Sequence, residues 1–102
     1  MNNTEISEIA KYVSYLENEG NILVKPTNMG GHIGGFVIPK NQFYYIFINT
    51  NLSYEEQLKV LYHEAKHVYD IENGIVTNEN ECDSFSSSYF EVACESVNER
   101  SC

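Results

Sequence analysis

NLSYEEQLKVLYHEAKHVYDIENG, residues 51–74, decides how the chain is read. Ser53 and Glu56 have the spacing of a capping box, in which Ser53 takes the Glu56 backbone N–H and the Glu56 side chain reaches back, so a helix is expected to start there. Leu58, Leu61, Ala65 and Val68 then step by three and four residues, the stripe of an amphipathic helix, and Gly74 supplies the stop. His63 and His67 therefore fall in mid-helix, one turn apart on one face, with Glu64 directly after the first.

Two imidazoles four residues apart on a helix, at about 5–6 Å between Cβ atoms, can converge on one cation. Zinc accepts neutral imidazole well, and a hydrolytic zinc keeps three protein ligands and leaves the fourth position to water. Glu64 is placed to take the proton of that water. From this chain's own His and Glu frequencies, HExxH has roughly a 1 in 100 chance of arising by accident. The competing reading is a solvated helix face carrying Glu64, Lys66 and both histidines. Tyr62, Ala65, Val68 and Tyr69 oppose it, because they turn the histidines toward the edge of a core.

A third ligand must come from elsewhere. Asp70 shares the His67 side of the helix, but three ligands strung along one straight helix do not readily surround one metal. The stretch NENECDSF, residues 78–85, offers Glu79, Glu81 and Asp83 at the start of a following helix, after a turn short enough to fold it back. Cys82, Phe85, Tyr89 and Val92 form the buried stripe of that helix, which is expected to run from Asn78 to about Asn98. Glu81, one residue before Cys82 and four before Phe85, is the carboxylate expected to face inward; Glu79 and Asp83 lie off that stripe. Glu81 has a competing role, closing a capping box with Asn78.

Upstream, Ile6, Ile9, Val13 and Leu16 mark a helix over residues 4–17, and NEGN at 18–21 stops it. ILVKP at 22–26 reads as a short strand closed by Pro26. A glycine-punctuated loop leads to two strands, Gly35 to Ile38 and Phe43 to Ile48, joined as a hairpin at PKNQ. The second strand is apolar on both faces, which fits a strand inside the sheet, or one with helices on one side and a partner on the other. It is read either as core alone or as an edge to which an extended substrate adds. The order helix, strand, hairpin, helix, helix predicts one α+β domain over residues 1–102, with about three helices on a three-stranded sheet.

An apolar content of 42% with 13% aromatic residues argues for a folded chain. Six Lys+Arg against fifteen Asp+Glu, a formal net charge of −9, leave no basic cluster to neutralise phosphates, so no direct nucleic-acid partner is expected. The acidic field favours, weakly, a basic partner segment. No membrane partner is expected, since no apolar run approaches a membrane-spanning length, and MNNTEISEIAKYV has neither the basic start nor the apolar stretch of a signal peptide. The expected location is cytoplasmic. Cys82, Cys94 and Cys102, an odd number without metal spacing, read as reduced thiols. His32, in GGHIGG, is read either as a loop residue without a role or as a transition-state stabiliser donating to a developing oxyanion.

With these residues in place, the sequence resembles the ImmA/IrrE-type zinc metallopeptidases. That family shows a strand ending in IN, HExxH on the next helix, and a downstream pattern close to EAxxFA followed by two large apolar residues. Here those places read IFINTNLSYEEQLKVLYHEAKH and ECDSFSSSYF, and the resemblance spans roughly residues 35–90. It implies a small zincin-like fold with HExxH on the central helix, one zinc ion held by His63, His67 and Glu81, and Glu64 as general base. The implied activity is endopeptidase cleavage of a narrow protein substrate, often a helix-turn-helix transcriptional repressor of a phage or mobile element. Lys66 stands where the family often has glycine, Cys82 and Ser86 stand where it has alanine, and the chain ends soon after the third helix. These departures motivate a second reading, a zincin-fold binding protein that acts as an antirepressor or inhibitor without cutting its partner.

Overall fold

In the computed structural model, which describes residues 2–97 and the side chains of residues 2–91, three helices and a three-stranded sheet follow one another in the expected α+β order. Capping sets where the helices begin. Asn2 and Glu5 exchange the two hydrogen bonds of a capping box ahead of α1 (Asn3–Asn18), and Ser53 and Glu56 do the same ahead of α2 (Tyr54–Glu72). The side chain of Asn78 accepts from the backbone N–H of Asn80 and Glu81 at the start of α3 (Glu79–Val97). The expected end of that helix near Asn98, the buried place of Val92, and Cys94 and Cys102 lie outside the described residues; Cys82 is a buried free thiol.

The strands are β1 (Ile22–Thr27), β2 (Gly35–Lys40) and β3 (Phe43–Asn49). β2 and β3 form the expected antiparallel hairpin, turning through Asn41 and Gln42, both at positive φ. Two successive positive φ angles match the right-handed twist of the flanking strands, and Asn adopts that region more readily than most residues. β1 pairs parallel to β3, so β3 is central in the order β1-β3-β2. This settles the double apolar character of Phe43–Ile48: it is an inner strand, paired on both sides, and cannot be the edge that receives a substrate. The free edge beside α2 belongs to β2.

Alternation along β3 directs Tyr44, Ile46 and Ile48 to the helical side, where they join Leu16, Ile22 and Val68 in one core cluster. A second cluster, Ile6, Ile9 and Phe85, joins α1 to α3. α2 packs against the sheet and against both other helices. Its C-terminal end is pinned to β3 and α1 because Tyr44 and Tyr12 both donate to the Glu72 carboxylate. Burial, followed by that hydrogen bond, pushes the Tyr44 hydroxyl up to about 12, so it stays a donor across the physiological range. Among the described residues no helix is long and apolar enough to cross a membrane.

Asn49, 1% exposed, closes β3 and holds the loop that leads into β2. Its Oδ1 accepts from the backbone N–H of Met29 (3.2 Å) and of Asn51 (3.0 Å), and its Nδ2 donates to the Ile33 carbonyl (2.8 Å). Replacing it with Ala leaves two part-buried N–H groups and a carbonyl without these partners. Asn49→Ala should cost about 1–3 kcal/mol in chemical denaturation. A loss no greater than at an exposed asparagine such as Asn18 would show that the loop does not depend on it.

Candidate metal centre

Because α2 is capped at Ser53 and runs unbroken to Glu72, His63 and His67 lie one turn apart, and their Nε2 atoms stand 3.2 Å from each other. Residues 73–78 turn the chain back so that the first turn of α3 lies over this pair. Glu79 then reaches both: Oε1 is 2.9 Å from His63 Nε2 and Oε2 is 3.1 Å from His67 Nε2. The other ring nitrogens are occupied. His63 Nδ1 meets Asp83 Oδ1 at 2.7 Å, and His67 Nδ1 meets Thr77 Oγ1 at 2.6 Å. If both Nδ1 atoms carry the hydrogen and donate outward, both Nε2 atoms carry lone pairs.

Two imidazole lone pairs and a carboxylate facing one another near 3 Å repel unless a cation, a proton or a metal, sits among them. The separations fit either, being ordinary hydrogen-bond lengths and also close to those of a metal shell. Ligand atoms arranged tetrahedrally about an ion at 2.0–2.1 Å stand about 3.3 Å apart, against 2.9, 3.1 and 3.2 Å here. Desolvation, the largest single influence, raises the Glu79 carboxyl, but the adjoining His63 and His67 imidazoles together hold it below the usual carboxylate range. It is ready to serve as an anion.

His63, His67 and Cys82 form another group that could hold a metal ion, their candidate ligand atoms lying within 4.8 Å of one another. Two observations favour Glu79 over Cys82 as the third ligand. Cys82 Sγ lies 3.6 Å from His67 Nδ1, on the side of the ring that Thr77 already occupies, not the side facing His63. Burial also pushes the Cys82 thiol up to about 11, so a thiolate there would first have to lose a tightly held proton.

Glu64, with 8% of its surface exposed, is walled between two open clefts. One is lined by Gly34, Gly35, Val60, His63, Glu64 and Glu79, and the other by Gly35, Phe36, Val37, Glu64, His67 and Glu79. Burial raises the Glu64 carboxyl above its ordinary value, against the opposing pull of His67 and His63. Gly35 lets β2 approach so closely: a Cβ there would stand 2.7 Å from Val60 Cγ1 and collide with the Phe47 carbonyl. A hollow between the outer face of α1 and Tyr89 shares no residue with these clefts.

The structure thus brings His63, His67 and Glu64 together and places the other expected residues differently. Glu81 is exposed, its backbone N–H is capped by Asn78, and its side chain makes no hydrogen bond or ion pair with either histidine. Glu79 and Asp83, set aside in the sequence reading, hold the histidines instead. Helical spacing carries the signal that finds them: Glu79, Cys82, Asp83 and Ser86 step by three, one and three and share the face toward α2, where Ser86 Oγ donates to the Lys59 carbonyl at 2.6 Å. His32 is exposed on a turn and lines neither cleft. Asp70 is buried and paired with the buried Lys66 at 2.6 Å, so neither is solvated and neither lines a cleft.

Compared with protein-family models, with curated proteins and with solved structures, the chain matches none of them. The site's own geometry therefore carries the functional argument. Glu79→Gln should weaken zinc binding by more than about 100-fold in competition with a chromophoric chelator, beyond what loss of a mere orienting partner costs. Glu81→Gln should leave it nearly unchanged; the opposite order would return the ligand role to Glu81.

Proposed function

We propose that the chain is a zinc-dependent endopeptidase on a zincin-like fold, with His63, His67 and Glu79 holding one zinc ion and Glu64 acting as general base. The observation that carries this reading is the meeting of the two Nε2 atoms and the Glu79 carboxylate at 2.9–3.2 Å beside a buried, cleft-facing Glu64. Bound zinc supplies Lewis acidity and a water whose pKa is lowered toward neutrality.

The chain's residues divide the remaining work. Asp83 and Thr77 hold the two imidazoles in the tautomer that leaves Nε2 free. Glu64 stands where a proton released in the cleft is taken up and later handed to the departing amine, and its partial burial brings its basicity nearer to that task than an exposed carboxylate's. β2, whose Gly35, Phe36 and Val37 line one of the clefts, offers a free sheet edge for main-chain hydrogen bonds to an extended segment. Such an edge suits a polypeptide substrate better than a small molecule. A transcriptional repressor of a phage or mobile element, cleaved in the cytoplasm, is the substrate that the family resemblance suggests.

The rival reading, an inhibitor or antirepressor that binds without cutting, drew in part on Lys66. That side chain is buried against Asp70 and lines neither cleft, so it gives no reason for a blocked active site. Glu64→Gln separates the two. It should retain one zinc per chain and lose cleavage by at least about 100-fold, followed by mass spectrometry of new N-termini in a peptide library digested from a bacterial proteome. Undiminished cleavage by that variant would remove Glu64 from the role given to it.

A further inference from the structure

The face of the sheet turned away from the helices has an unusual composition. Alternation sends Phe43, Tyr45 and Phe47 of β3 to that face, and the register sets Phe36 beside Phe47, Ile38 beside Tyr45 and Leu23 beside Tyr45 on the flanking strands. The helices pack on the opposite face, against Ile22, Tyr44, Ile46 and Ile48. A sheet with one solvated face normally turns polar side chains outward. Here the outward positions are aromatic and aliphatic, with Phe36, Ile38 and Phe43 each at least 40% exposed and Phe36 stacked on Phe47 at 5.0 Å. Among the described residues no helix packs on this face.

Its charge runs against that of the whole chain. Lys25, in register with Phe47, and Lys40, in register with Phe43, share this face and its strand positions include no carboxylate, although acids outnumber bases fifteen to six in the sequence. Both lysines are exposed and neither belongs to an ion pair of the described residues, whereas Lys59 and Lys66 do. An apolar patch rimmed by two free cations selects an acidic partner with apolar side chains. A second copy docked face to face would set its own two lysines against these, and a phosphate backbone has no apolar side chains to cover Phe36, Ile38 and Phe43.

The patch also continues into the cleft. Phe36 belongs to the outer face and lines the cleft with Glu64, His67 and Glu79. We propose that this outer sheet face is a docking surface for an acidic, apolar segment of the protein substrate, distinct from the cleft in which the peptide bond is placed. Holding the substrate there raises the local concentration of its scissile segment at the β2 edge, so selectivity is set outside the cleft. The word substrate rests on the peptidase reading; the docking surface does not.

The test uses the full chain and two fluorescein-labelled twelve-residue peptides, one alternating Glu with Val and Leu and the other carrying Lys in place of Glu. Anisotropy should show the acidic peptide binding at least about ten-fold more tightly, with amide and aromatic signals of Phe36, Tyr45 and Phe47 shifting in NMR spectra. Lys25→Glu with Lys40→Glu should reverse the preference, while Glu64→Gln and chelation of the metal should leave docking unchanged. Docking that persists when no variant or substrate shows cleavage would sink the peptidase reading and leave this one standing. Equal binding of the two peptides, acidic binding unaffected by the lysine reversals, tighter binding of a labelled single-stranded oligonucleotide, or a concentration-dependent dimer that masks the Phe47 signals would each overturn the proposal.

Discussion

Three electron-rich groups, two imidazole nitrogens and a carboxylate, are held within 3.2 Å of one another where α3 folds back on α2. Much of the surrounding structure serves that arrangement. The cap at Ser53 keeps α2 regular through His67, the cap at Asn78 starts α3 where Glu79 meets the histidines, and Asp83 and Thr77 occupy the outer ring nitrogens. On the proposed reading a bound metal ion relieves their mutual repulsion, which would link the local stability of the helix junction to that ion. Behind it, Lys66 and Asp70 form a buried ion pair four residues apart in which Asp70 Oδ2 has no hydrogen-bond partner among the described residues. Such a pair is a costly feature and weak evidence for stability by itself.

The sheet contributes position. Asn49 ties the loop before β2 to the end of β3, and Gly34 and Gly35 let the strand begin against Val60, one helical turn before Glu64. Without a Cβ at Gly35 the free edge of β2 comes close enough to α2 to form the wall of both clefts. The hairpin thus does two things at once. Its inner side chains fill the core, and its edge and outer side chains remain available to a partner.

What could be read from the sequence was what local chemistry determines. The Ser53 and Glu56 box, the three helices and the turn at PKNQ are each set within a few residues, and all appear in the structure. The parallel pairing of β1 with β3 was not legible, because it joins residues about twenty apart and an inner strand such as Phe43–Ile48 has the same composition as a covered edge. Glu81 was favoured over Glu79 for a related reason. α3 has two buried sides, Phe85 toward α1 and Cys82 with Ser86 toward α2, and a single stripe drawn through Cys82 and Phe85 blurs them. The burial of Lys66 was not legible either, since it depends on a partner, Asp70, that is itself buried.

The central claim is that this chain binds one metal ion through two histidines and a carboxylate, with Cys82 outside the first coordination sphere. X-ray absorption at the zinc edge on the loaded protein tests it most directly. The proposed site predicts a shell of nitrogen and oxygen at about 2.0–2.1 Å, with imidazole scattering from two rings and no sulfur. A sulfur contribution at about 2.3 Å would make Cys82 a ligand and contradict it.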